Sequence, residues 1–164
     1  MKNGRVAAMT ALSFALLWLS ISSGRDGVSG NASVEFKRIN FPEKRPDKNE
    51  PHVDIDSVLD GEQKAVLQDL AKALTDNPVI GARVVGFSDK NECRATECNE
   101  LSLRRARLVF DWLLRNGVPA KQLKGPDGES TDYPLDDGDT EEERALNRRV
   151  QLEPYTVSSE KPKS

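Results

Sequence analysis

The chain has 164 residues, the length of one domain with some appendage, which argues against a multidomain arrangement. Its 24 basic and 27 acidic residues leave a net charge of −3, so nucleic acid, whose binding begins with clustered positive charge, is a poor partner. With Cys93, Cys98 and a single histidine, His52, a four-ligand zinc site cannot be assembled from soft ligands alone, and no metal or cofactor is expected.

At the start of the chain, Lys2 and Arg5 precede an uncharged run over residues 6–21, and Ser22, Ser23 and Gly24 follow. That is the layout of a secretory signal peptide. The apolar run is shorter than the roughly 20 residues needed to span a bilayer, so cleavage near residues 22–24 is expected, with an uncleaved anchor as the alternative. No cysteine stands there to carry a lipid. Removal of residues 1–24 leaves 22 basic and 27 acidic residues, a net charge near −5. Export places the two cysteines where thiols oxidise, so a Cys93–Cys98 disulfide is expected. Residues 25–32 read as a linker.

The domain is expected over residues 33–155. Its first element, residues 33–41, alternates Val34 and Phe36, then Ile39 and Phe41 after a change of phase, the pattern of a strand with a bulge. Residues 42–51 are charged and carry prolines, and read as a loop. A helix follows, with Asp60 as N-cap, Gln63 three residues on, a stripe of Val66, Leu67, Leu70, Ala71 and Leu74, and Pro78 past its end. Residues 79–87 form a β-branched apolar run, a strand buried on both faces. The second helix is predicted from Asn99, its N-cap, to Asn116, with Gly117 as the stop. Its apolar face gathers Leu103, Ala106, Val109, Phe110, Leu113 and Leu114 and leaves Arg105 at the border. Trp112 is read as core. A short strand is expected around Leu123. Thr140 and Glu143 then form a capping box, and residues 149–155 a strand with Val150 and Leu152 inward and Arg149, Gln151 and Glu153 outward. Residues 156–164 read as a disordered tail. The acidic run over residues 136–143 lacks calcium-loop spacing and reads as solvated charge. The fold class is α+β, a β-α-β-α-β sandwich with helices on one face of a small mixed sheet.

Three motifs stand in order along this framework: GFSD, then NELSLRRARLVFDWLLRNGV, then EEERALNRRVQLE. Together they resemble the OmpA-like domain family, the non-covalent peptidoglycan-binding modules of the bacterial envelope, and the resemblance covers residues 33–153. It implies that Asp89 and Arg105 grip the diaminopimelate of the stem peptide, with Ser88, Asn99, Arg144, Asn147 and Arg148 around them. It also implies a Gram-negative periplasmic protein, associated with the wall at the outer membrane, with peptidoglycan as partner and other envelope proteins as possible partners. Two segments depart from the family pattern. KNECRATEC lacks the glycine that usually follows the aspartate, and KGPDGES replaces a Gly-aromatic-Gly turn.

The chemistry suits such a ligand. Diaminopimelate carries an ammonium and a carboxylate on one carbon, matched by a carboxylate from Asp89 and the bidentate fork of Arg105. A Cys93–Cys98 staple would pre-order the loop between them, so its loss is expected to weaken polymer binding more than folding. On spacing alone, Arg105 could instead pair with Glu100 or Asp111 as a border arginine. Two other functions stay open: a wall hydrolase using Asp89 and Glu92 as acid and base, and an accessory subunit of an envelope complex. The hydrolase reading has no nucleophile arrangement behind it, and no enzyme activity is expected.

Overall fold

The computed structural model describes residues 35–50 and 53–157. The expected signal peptide and linker lie outside the described residues, as do residues 158–164 of the tail. The elements in order are β1 (Ile39–Asn40), α1 (Ile55–Val58), α2 (Gly61–Asp76), β2 (Ile80–Gly86), α3 (Ala95–Arg115), a 3-10 turn (Ala120–Gln122), β3 (Leu123–Gly128), α4 (Glu141–Asn147) and β4 (Arg149–Thr156). The strands form one mixed sheet in the order β1-β4-β2-β3. β4 runs antiparallel to both β1 and β2, while β3 lies parallel to β2. This is the α+β sandwich the sequence indicates.

Alternation along the strands divides the sheet into two faces. Val84, Val150 and Leu152 turn toward the helices and meet Leu67, Leu74, Val109 and Leu113 in a solvent-free core. On the opposite face Arg83 bonds Asp127, Glu129 and Glu153 at 2.7, 3.0 and 3.1 Å. α2 begins as expected: the Asp60 side chain accepts from the Gln63 amide. The Gln63 side chain, however, reaches across to accept from the Asn40 amide at 2.8 Å, and so joins α2 to β1. At the other end of α2, buried Gln122 donates to the carbonyls of Leu74 and Ile80, each at 2.7 Å.

Several boundaries differ from the sequence reading. Among the described residues of the strand expected over 33–41, Ile39–Asn40 pair with β4, and the Phe41 amide donates to the Arg148 carbonyl just before β4. α1, absent from that reading, is a single turn capped by the Asp54 side chain, which buries Ile55 and Val58. β4 takes in Thr156, paired with Ile80, one residue beyond the strand end expected at 155. Val79 is exposed, and burial on both faces of β2 starts only further along the strand. Trp112 is half-buried at the edge of the core rather than inside it.

The largest shift is in α3, which begins at Ala95, with Arg94 as a cap that makes no side-chain bond. Asn99 therefore lies within the helix, exposed, and not at its N-cap. The buried line of α3 runs through Leu101, Ser102, Arg105, Ala106, Val109 and Leu113, while Leu103 and Phe110 are only half-buried and Leu114 is exposed. Arg105 is thus in the middle of the buried stripe, not at its border. The reason is close packing at two glycines. A Cβ at Gly86 would lie 2.0 Å from the Ser102 carbonyl oxygen, and one at Gly128 would lie 2.8 Å from the Leu103 amide nitrogen. With no side chain at either position, the first half of α3 rests directly on β2 and β3, and the arginine is turned under the loop that precedes it.

Candidate functional site

Residues 87–94 connect the end of β2 to α3. Three polar residues of this loop are buried: Ser88, Asp89 and Glu92 are 3, 2 and 6% exposed. The Ser88 amide donates to the Ser130 carbonyl at 2.8 Å and its hydroxyl to the Cys98 carbonyl at 3.2 Å, so the loop is tied to both the chain after β3 and the first turns of α3. One carboxylate oxygen of Asp89 accepts from the Asn91 amide at 2.9 Å, closing an Asx turn. Its other oxygen, Oδ2, is buried and accepts no hydrogen bond among the described residues. The expected disulfide is formed, joining Cys93 in the loop to Cys98 in α3.

Arg105 is fully buried, and its five N–H groups are all engaged. Nε donates to the Arg45 carbonyl at 2.8 Å, Nη1 to the Phe87 carbonyl at 3.0 Å and Nη2 to the Pro42 carbonyl at 3.1 Å. The two remaining donors meet Glu92 as a fork, at 2.6 Å from Nη1 and 2.7 Å from Nη2. Glu92 is matched in turn: Oε1 also accepts from the Asp89 amide at 2.9 Å, and Oε2 from the Lys44 amide at 2.8 Å. Both side chains are wholly removed from solvent. A buried ion pair is tolerated only when such further bonds fill its remaining donors and acceptors, and here they do. Neither Glu100 nor Asp111 is the partner of Arg105; Glu100 lies 3.9 Å from Arg104. With four bonds arriving at its two oxygens, Glu92 offers no free lone pair for the acid–base role beside Asp89.

The closing motif stands on the far side of Phe41. The ring of Phe41 lies 5.5 Å from the Arg105 guanidinium, and its carbonyl accepts from Arg148 Nε at 3.4 Å. Arg148 and Arg144 both bond Glu141, Arg144 at 3.2 Å, and hold its carboxyl below the usual glutamate range, chiefly through the Arg148 hydrogen bond. Thr140 and Glu143 make the expected capping box at the start of α4. Asn147 accepts from the Leu135 amide at 2.7 Å and donates to the Asp136 carbonyl at 2.7 Å, so it shapes the loop before α4. Arg149, expected on the exposed face of β4, is buried instead. That loop covers it, with the Tyr133 carbonyl accepting at 3.0 Å, and its guanidinium lies 3.9 Å from the centroid of the Phe87 ring. Burial, with Arg38 adding a smaller push, lowers its pKa to about 10.

Of the residues singled out in the sequence, Ser88, Asp89 and Arg105 therefore gather around one loop. Arg148 joins them through Phe41, while Arg144 and Asn147 organise α4 and its approach. Asn99 points to solvent from within α3, its carbonyl accepting from the Ser102 hydroxyl at 2.9 Å. One contributor went unread, and a second, Glu92, was read only as a hydrolase acid or base beside Asp89. Residues 42–45, taken only as loop, supply two carbonyls and an amide to the Arg105–Glu92 pair. Glu92 itself carries a sequence signal in its position, three residues after Asp89 and next to a cysteine, but its burial follows from the packing of α3.

The OmpA family profile matches residues 56–148. No curated protein is significantly similar in sequence. Among solved structures, the peptidoglycan-associated lipoprotein of Burkholderia pseudomallei superposes with a TM-score of 0.59 at 21% identity, over 73% of this chain and 90% of that one. The C-terminal domain of Helicobacter pylori MotB gives 0.54 at 24% identity, over 61% and 78% of the two chains. A cell wall anchor of the type VI secretion system from Pseudomonas aeruginosa gives 0.50 at 26% identity, over 61% and 70%. The profile spans more than half of the sequence and includes the β2–α3 loop and the closing motif as far as Arg148; the chain belongs to the OmpA family.

Proposed function

We propose that this domain binds peptidoglycan without covalent attachment and fastens the protein to the bacterial cell wall from the periplasmic side. Membership of the OmpA family supports this, as does the likeness of the fold to proteins described as a peptidoglycan-associated lipoprotein and a cell wall anchor. The contact is with the diaminopimelate of the stem peptide, whose carboxylate lies on Arg105 and whose ammonium lies against Asp89. The observation that carries this reading is the state of Arg105. Three carbonyls fix its guanidinium and turn one edge, the Nη1–Nη2 fork, to a carboxylate, which in this structure is that of Glu92. The neighbouring Asp89 Oδ2 has an unused lone pair suited to an ammonium. The site performs recognition and not chemistry, and its further partners are other proteins of the envelope.

Sedimentation of the full chain with purified sacculi tests the proposal. Wild type is expected in the pellet with the polymer uncut, and Asp89→Ala and Arg105→Lys in the supernatant. Lysine keeps the charge at 105 and removes the fork. Equal retention of both variants would remove this site from consideration, and release of muropeptides would point to a hydrolase.

A further inference from the structure

The carboxylate on the Arg105 fork belongs to the protein itself. We infer that Glu92 is a tethered internal competitor, occupying the seat that the wall peptide must take, so that binding proceeds by exchange of one carboxylate for another. This rests on the peptidoglycan reading above.

The hydrogen-bond inventory requires the exchange. Arg105 has five donors, and all five are used. The three on carbonyls of Pro42, Arg45 and Phe87 belong to backbone that positions the side chain. The only two an incoming carboxylate can claim bidentately are those on Glu92. Glu92 also has somewhere to go. It borders an open cleft of about 210 Å³ whose rim carries Lys44, Lys48 and Arg104 beside Asp47 and Glu97, so a rotated carboxylate moves to a mixed charged rim and solvent rather than into the core. The loop that carries it is held by turn bonds, from the Asn91 amide to the Asp89 carboxylate and from the Glu92 amide to the Asp89 carbonyl, and enters regular helix only at Ala95. Tethering gives Glu92 a high effective concentration at the fork, and a ligand that binds only the open form has its affinity reduced by the fraction of time the fork is free. The Cys93–Cys98 bond, next in sequence to Glu92, anchors the tether to the same helix that carries Arg105. Glu92 thereby sets a threshold: an isolated carboxylate is refused, and a ligand that also brings an ammonium to Asp89 gains the second contact needed to displace it.

The test compares the full-length wild type with Glu92→Ala and Glu92→Gln in sacculus sedimentation, with meso-diaminopimelate as a soluble probe in thermal unfolding. Glu92→Ala is expected to bind sacculi at least tenfold more tightly than wild type and to gain thermal stability from millimolar diaminopimelate, with wild type gaining less. Adding Arg105→Lys should abolish both gains. Glu92→Gln, which keeps the shape of the side chain without its charge, is expected to lie between and carries the test if the alanine variant folds poorly. If wild type sediments and neither variant binds more tightly, Glu92 is a structural counter-ion and the inference falls while the wall-binding proposal stands. If wild type and both variants all stay in the supernatant, both fall.

Discussion

Glu92 and Arg105 meet through both carboxylate oxygens and both terminal guanidinium nitrogens, at 2.6 and 2.7 Å, with neither side chain reaching solvent. Removing one partner leaves a buried charge without its counter-ion, a loss of about 3–5 kcal/mol. Glu92→Ala and Arg105→Ala are each expected to destabilise the fold on that scale, and Glu92→Ala with Arg105→Met by less than the sum. Urea unfolding of the singles and the double measures the coupling; additive losses would show that the two do not act as a unit.

Replacing both cysteines by serine opens a ring closed across five positions of sequence. In the chain-entropy view this lowers the unfolding free energy by about 2 kcal/mol, visible as a fall in Tm. Retention on sacculi is expected to rise. The sequence alone suggests the opposite sign, because it shows a staple ordering a binding loop and not that the ordered loop holds Glu92 on Arg105. The direction of the change in a pelleting experiment separates the two.

Gly86→Ala would place a methyl group 2.0 Å from the Ser102 backbone carbonyl. No side chain can move aside there, so α3 must lift from β2. A destabilisation of about 3 kcal/mol is expected, at the upper end of ordinary overpacking, and with it a loosening of Arg105 from the Phe87 carbonyl. Denaturant midpoints and protection of the α3 amides against exchange would report both effects.

Glu141 provides an acid-sensitive contact between the first turn of α4 and the C-cap of the same helix, Arg148. Hydrogen bonds from Arg148 and then Arg144 depress its folded pKa. A depressed carboxyl contributes stability that is present above the unfolded glutamate pKa, about 4.3, and is lost as the pH falls through the folded value. Glu141→Gln is therefore expected to lower stability at neutral pH and to flatten the acid limb below about pH 4. Parallel wild-type and variant curves across that range would count against the contact.

The elements that announce themselves by period or by cap were legible in the residues. Asp60 before α2, the Thr140 and Glu143 box before α4 and the alternation of Val150 with Leu152 are local signals, satisfied by neighbours a few positions away. The disulfide was legible for the same reason, since its cysteines are close in sequence. Asp89 and Arg105 could be named from motifs, but a motif does not specify what else touches a side chain.

What the sequence by itself determined is the α+β layout, the placing of its main helices and strands, and the two residues proposed to carry recognition. The tertiary structure decided that Arg105 is central to the buried face of α3 and already holds a carboxylate. That outcome depends on two glycines which bring a helix against strands distant in sequence, and on carbonyls from residues 42–45 that arrive from the opposite end of the domain. The partners of a buried arginine are set by which backbone groups surround it, and only the packed chain assembles them.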